Sequence, residues 1–326
     1  MLLALCYHYL RPAAAQDRFP RILGTPMREF RRQVNRLRSD YAMCSPQQVR
    51  AMYAHPETAP IGQPGVLLTF DDGLAEHYAA AQWLAQQGIA AWFFIPTCIL
   101  KDELPANPTI LHYGIAVNGL GRFARTYHAA LEAQGLSREA YGVPLTRGTD
   151  DVWTRIAQLK TMLYYRLPPA RARAILLQCY RELLWKNDPD ILSAMHLTSA
   201  QVREMLAMGH AIGVHSHSHV SGAAPGLTSA EWEAEVVEPK RYLEDTFGTQ
   251  VVAFSYPFGE QADRLDWETR LRQTLLFELA FTIEPAANTP STSPWQLGRV
   301  MLTAAETAQT LMARVQQLLP SPEPAR

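Results

Sequence analysis

Val66-Leu67-Leu68-Thr69-Phe70-Asp71-Asp72-Gly73, "VLLTFDDG", runs an apolar segment straight into two adjacent carboxylates and a glycine. A turn at the end of a buried strand needs one Asp and a Gly, because a single Asx side chain satisfies the local backbone and the glycine supplies the turn dihedrals. The second carboxylate needs another reason. Downstream, residues 75–87 read as a helix that stops at Gly88, and residues 89–95 read as a second strand ended by Pro96. Strand, helix and strand within about 30 residues make a βαβ unit, which requires a parallel pair and a right-handed crossover.

The rhythm continues outward from that unit. Residues 200–208 read as a helix stopped by Gly209, leading into a strand over 211–214. Thr228 and Glu231 form a capping box for a helix carrying Trp232, Val236, Leu243 and Phe247, which Pro239 should kink and Gly248 should end. A strand over 251–255 follows, then a helix over 266–276 and a strand over 279–283. A strand over 297–302 precedes a last helix, with Thr303 and Glu306 as its expected capping box. The opening, "MLLALCYHYLRPAAAQ", imitates a signal peptide. It has no positive leading region, and Tyr7, His8, Arg11 and Pro12 interrupt its apolar run, so it reads as a first strand. Seven strands separated by helices imply an α/β fold with a parallel sheet, either doubly wound or closed as an incomplete (β/α) barrel.

Two segments fall outside this alternation within a single domain spanning 1–326. One holds a helix over 27–41, with Phe30, Val34, Leu37 and Tyr41 on one face and Arg28, Arg31, Arg32, Arg36 and Arg38 elsewhere. The other is a long, mainly helical insertion over 100–195, made basic by Arg166, Arg171, Arg173 and Arg181. Both arginine faces read first as solvated helix surfaces. The alternative is contact with anionic lipid at a membrane surface or with a phosphate-bearing substrate. The tail "PSPEPAR" reads as frayed.

The 326 residues are 48% hydrophobic and 19% charged, with a formal net charge of -1, so no basic field attracts nucleic acid. Cys6, Cys44, Cys98 and Cys179 lie far apart and form no CxxC pair, which suits a reducing compartment. No apolar run approaches the roughly 18 residues of a membrane span. A soluble, cytoplasmic protein is the expectation.

If the strands run parallel, Asp71 and Asp72 emerge at the carboxyl end of one of them, where such folds build their sites. The strand "AIGV" delivers "HSHSH" at its own carboxyl end, with His215 and His219 four apart. On a helical turn that spacing puts both rings on one side, while His217 points away. One Asp oxygen and two imidazoles make a facial ligand set with open positions, as a catalytic metal site requires. That gives the second carboxylate a purpose, with Asp72 binding a divalent ion and Asp71 acting as general base on a water at that ion. A third segment, "FSYPFGE", ends the next strand at Tyr256 and offers the Tyr256 backbone N–H to an oxyanion.

These motifs, Thr69 to Gly73, His215 to His219 and Phe254 to Gly259, resemble the polysaccharide deacetylase family, carbohydrate esterase family four, over residues 66–98 and 198–283. The resemblance implies a distorted, seven-stranded (β/α) barrel and an N-acetylated carbohydrate substrate. It also implies Asp71 as base, with Asp72, His215 and His219 holding zinc or a similar divalent ion. The Tyr256 backbone would serve the oxyanion, and Ser216 would fix the histidine loop. The chain departs from the family in two places. The third block carries no arginine, which leaves Arg299 to orient Asp71, and a late leaving-group histidine is missing, which leaves His8, then His112, as candidate acids. Without an export signal, a lipid- or nucleotide-linked glycan precursor suits the substrate better than a cell-wall polymer.

Overall fold

The computed structural model describes residues 1–55, 64–143 and 152–319, so the tail reading lies outside the described residues. Seven strands form the barrel wall: β1 Leu2–Tyr7, β2 Gly65–Phe70, β3 Trp92–Ile95, β4 Ala211–Val214, β5 Ala253–Ser255, β6 Leu279–Phe281 and β7 Arg299–Met301. Their spatial order is β7-β1-β2-β3-β4-β5-β6 and every pairing is parallel. A parallel bridge between Phe281 and Leu297, just ahead of β7, brings the two ends of the sheet together. The sheet is thus a nearly closed barrel rather than an open doubly wound one. The seam is thin beside the six-residue register of β1 with β2.

Buried on both faces, the strands read as continuous apolar runs instead of alternating ones. Period two still sorts their side chains. Leu3, Leu5, Val66, Leu68 and Phe93 pack outward beneath the helices, whereas Leu2, Ala4, Leu67, Trp92, Phe94, Ala253 and Phe281 fill the interior. Gly213 lies on the inward face of β4, where a Cβ would meet the Phe94 ring at 2.4 Å and the Ala253 carbonyl at 2.9 Å. The barrel can close this tightly there only because the side chain is missing.

The helices depart from expectation at a few ends. The last one, Ala308–Leu318, is capped by Thr307 with Thr310 instead of Thr303 with Glu306. Glu306 is instead paired with Arg314, and its carbonyl accepts from Gln33. The irregularity expected at Pro239 is a π turn, Glu233–Val237, just ahead of the helix Glu238–Phe247. The helix before β6 starts earlier than its apolar pattern suggested, at Gln261–Thr274. On Met27–Asp40 the arginines are exposed: Arg32 pairs with Glu29, Arg36 with Asp40, and Arg31 lies over the Trp83 ring, so the solvated-surface reading fits.

The insertion packs around an apolar cluster of its own, including Phe123, Tyr127, Leu159, Leu163, Ile175 and Leu176, to which Tyr9 and Phe258 of the barrel attach. Arg173 is not part of a free basic face, since it donates to the Pro105 carbonyl and to Asn107. Among the described residues, no helix is long and apolar enough to cross a membrane.

Candidate metal centre and its acid–base neighbours

The inward phase of the strands decides which polar side chains reach the barrel mouth. Thr69 and Asp71 continue the phase of Leu67, His215 that of Gly213, and Ser255 that of Ala253, while Arg299 sits opposite Ala4 on β7. Because all strands run one way, their carboxyl ends gather these residues in one place.

Asp72 sits one residue beyond that phase, and its backbone turns it back with a φ of 77°. Its Oδ1 lies 3.5 Å from His215 Nε2 and 3.4 Å from His219 Nε2. Six non-glycine residues among those described have positive φ, and four belong to this region: Asp72, Ser216, His219 and Phe258. Strain concentrated at one mouth marks a place where side-chain aim outweighs backbone comfort. The histidine stretch is therefore a loop and not the expected helical turn. Its rings converge because Ser216 and His219 both adopt left-handed backbone, with Ser216 Oγ accepting the His219 N–H at 2.9 Å.

His215 Nδ1–H donates to the Ser255 carbonyl at 2.8 Å, which leaves its Nε2 lone pair facing Asp72. Burial pushes the His219 pKa down to about 3, so its ring is neutral. Asp72 Oδ1, His215 Nε2 and His219 Nδ1 are buried with no hydrogen-bond partner among the described residues. Orphaned polar atoms of this kind are expensive in a protein interior. Asp72, His215 and His219 can each offer one atom within 4.8 Å of the others, so the set fits a divalent cation. His217 takes no part, since it is held by Asp102 at 2.8 Å and by Thr97 at 2.9 Å.

Asp71 stands beside this trio in a different environment. Arg299, fully buried, donates NH1 to Oδ1 at 2.8 Å and NH2 to Oδ2 at 2.7 Å, a two-pronged pairing. Ser255 Oγ and Cys6 Sγ also point at Oδ2, at 3.0 and 3.4 Å. Burial alone would raise the Asp71 pKa, but the Arg299 guanidinium overcomes it and holds the carboxyl well below its usual range. Arg299 is itself fixed by the Thr282 carbonyl at 2.8 Å and by the faces of Phe94 and Phe281. The Asp-Asp-Gly turn is held from behind: His77 bonds the His8 carbonyl at 2.9 Å and His196 bonds the Gly73 carbonyl at 3.2 Å.

One expectation fails. The Tyr256 N–H is already committed to the Phe281 carbonyl at 3.1 Å in the β5–β6 pairing, and its hydroxyl donates to the Trp295 carbonyl. Tyr256 is therefore a wall residue, with no donor left for a ligand. Two contributors carried no obvious signal in the chain. Ser255 reads as an ordinary strand residue until its inward phase is known. Glu235 accepts from the His217 and Ser218 amides at 3.1 and 2.9 Å, from a π turn that no pattern announces. His8 extends from the end of β1, with a ring nitrogen 3.8 Å from Cys6 Sγ, in a cluster shared with Asp71. His112 receives the Tyr9 hydroxyl at 3.0 Å.

Comparisons with known proteins agree with this geometry. A family model described as polysaccharide deacetylase matches residues 186–273, which hold the histidine and Tyr-Pro segments. The putative polysaccharide deacetylase YxkH of Bacillus subtilis (strain 168) is 26% identical over 124 residues, 38% of this chain and 42% of the relative. The match thus spans less than half of that relative's length. Two solved structures share the fold across nearly the whole chain. IcaB from Ammonifex degensii has a TM-score of 0.58 at 20% identity, covering 97% of each chain. The Streptococcus pyogenes deacetylase PplD, solved in complex with acetate, has a TM-score of 0.57 at 16% identity, covering 99% of this chain and 98% of its own. Family model and curated relative agree over part of the chain, and residues 186–273 are similar to the polysaccharide deacetylase family.

Proposed function

We propose that this protein is a metal-dependent hydrolase that removes the acetyl group from an N-acetylated sugar. The observation that carries the proposal is the set of unpaired buried polar atoms on Asp72, His215 and His219, set beside a carboxylate that Arg299 keeps ionised. These three residues would hold the cation, zinc fitting their nitrogen and oxygen donors. A bound divalent ion supplies Lewis acidity toward the acetyl carbonyl and lowers the pKa of a nearby water.

The chain's own groups divide the remaining work. Asp71 accepts the proton from the attacking water, with Arg299 and Ser255 fixing its aim. The pairing favours orientation over basicity, because the guanidinium that aims Asp71 also lowers its proton affinity. With the Tyr256 amide engaged, the next N–H in the same turn, that of Phe258 at φ 62°, is the donor offered to the developing oxyanion. His8 delivers a proton to the amine as the C–N bond breaks, which releases acetate and a free amino sugar.

A cytoplasmic location belongs to the same proposal, and so does a lipid- or nucleotide-linked substrate, the linkage supported by the exposed Arg166, Arg171 and Arg181 on the insertion. The decisive experiment pairs elemental analysis with acetate release. Near one ion per chain in the wild type, lost in Asp72→Ala and His215→Ala together with acetate release from an N-acetylglucosamine oligomer, is the expected result. A protein that binds no divalent ion when supplied with one would sink the hydrolase reading. Activity on phosphate-bearing and neutral acetylated sugars, measured side by side, tests the linkage.

A further inference from the structure

We propose that Tyr164, on the helical insertion, is a substrate-contacting residue of the metal centre, its hydroxyl taking a hydrogen bond with a hydroxyl or the acetamide of the sugar. The inference rests on the deacetylase reading above and assigns a role to a segment outside the family motifs. Tyr164 lies in a π turn, Met162–Arg166, at the end of the helix Val152–Thr161. Such turns insert one extra residue into a helix and occur often at functional sites. The side chain is 5% exposed, and its hydroxyl has no hydrogen-bond partner among the described residues. The ring is tilted against Phe258 at 5.0 Å between centroids, and Phe258 stands edge-on to the metal-ligand candidate His219 at 4.7 Å. Burial raises the pKa of the hydroxyl, and the Asp72 carboxylate pushes it in the same direction, so the phenol stays protonated.

Packing alone does not account for this residue. A phenylalanine would fill the same space against Phe258 without burying a hydroxyl that bonds to nothing. The unmet group instead sits one aromatic ring away from the candidate ligand His219, with Phe258 between them. Tyr9, packed against the same cluster as Tyr164, bonds His112 at 3.0 Å. Tyr9, Phe258 and Tyr164 thus share one packed cluster that joins barrel and insertion, and its Phe258 stands against His219.

The test is Tyr164→Phe, assayed for acetate release from an N-acetylglucosamine tetramer and for hydrolysis of 4-nitrophenyl acetate, which has no sugar. Metal content and thermal midpoint are measured on the same preparations. The expected result is a fall in kcat/KM on the tetramer of about tenfold, carried mainly by KM, as loss of one hydrogen bond to a bound group predicts. Ester hydrolysis and metal content should be unchanged, and the midpoint equal or higher, since an unpaired buried hydroxyl is removed. An unchanged kcat/KM on the tetramer overturns the assignment. So does an equal fall on both substrates, or a drop in midpoint, because each would mean a structural hydroxyl. If the wild type ignores the ester, the split on the tetramer decides: a rise in KM supports the contact and a fall in kcat alone overturns it. A metal-loaded wild type that releases no acetate from the tetramer fails earlier, at the deacetylase reading, and removes this inference with it.

Discussion

At the scale of single residues, the two adjacent aspartates that interrupt β2 occupy opposite electrostatic roles one residue apart. Asp71 is neutralised by Arg299 through two hydrogen bonds, whereas Asp72 keeps an unpaired oxygen turned to the imidazoles of His215 and His219. Removing either member of the buried pair strands the other charge, which costs roughly 3–5 kcal/mol. Asp71→Asn and Arg299→Met should therefore each lower the urea midpoint clearly, and the double variant should lose less than the sum, because the two share one interaction. Additive losses in that cycle would show that the pair does not stabilise the fold. Asp71→Asn should also bind a metal ion normally while losing acetate release by about a hundredfold or more. Because the folded pKa of Asp71 is depressed, the stability it supplies is present above about pH 4 and disappears as pH falls below the ordinary carboxylate value.

At the scale of elements, ends and turns decide more than the apolar pattern reveals. The last helix is capped by Thr307, so Thr307→Ala should cost about 1 kcal/mol of stability and Thr303→Ala distinctly less. Chemical denaturation of both variants checks the order, and the reverse order would restore the cap expected from the sequence. Gly213 is constrained by closeness instead of dihedral freedom. Gly213→Ala pushes a methyl into Phe94 and the Ala253 carbonyl and should destabilise by about 1–3 kcal/mol, as overpacking does. Gly73 differs, with a φ of 56° and Ile99 only 2.7 Å from where a Cβ would sit, so any side chain there disturbs the Asp-Asp-Gly turn itself.

At the scale of the whole molecule, buried histidines hold backbone around the candidate metal site. His77 and His196 each have a pKa lowered to about 4 by burial, and both bond backbone near the Asp-Asp-Gly turn. The sign follows from the unfolded chain, where each histidine takes a proton near pH 6.5 that the folded protein refuses. Stability is therefore full above about pH 6.5 and falls as the pH drops toward 4, by roughly 3 kcal/mol for each such histidine. Urea midpoints measured between pH 7 and 4 should decline in this window. In a His77→Gln variant the decline should be shallower, and an unchanged slope would assign the acid sensitivity elsewhere.

The sequence by itself determined the parallel α/β alternation, the placement of Asp71, Asp72, His215 and His219 at strand ends, and the candidacy of Arg299. These are local matters of period, turn residues and spacing, carried by neighbours along the chain. Closure of the sheet was not legible, because it rests on the Phe281–Leu297 bridge between strands that no local signal pairs. The loss of the Tyr256 amide to strand pairing, the left-handed turn that makes the histidine loop converge, and the arrival of Tyr164 beside Phe258 were likewise decided only in three dimensions. Each depends on a partner far away in the chain, and a hydrogen bond or a packed ring between distant segments leaves no periodic trace in either one.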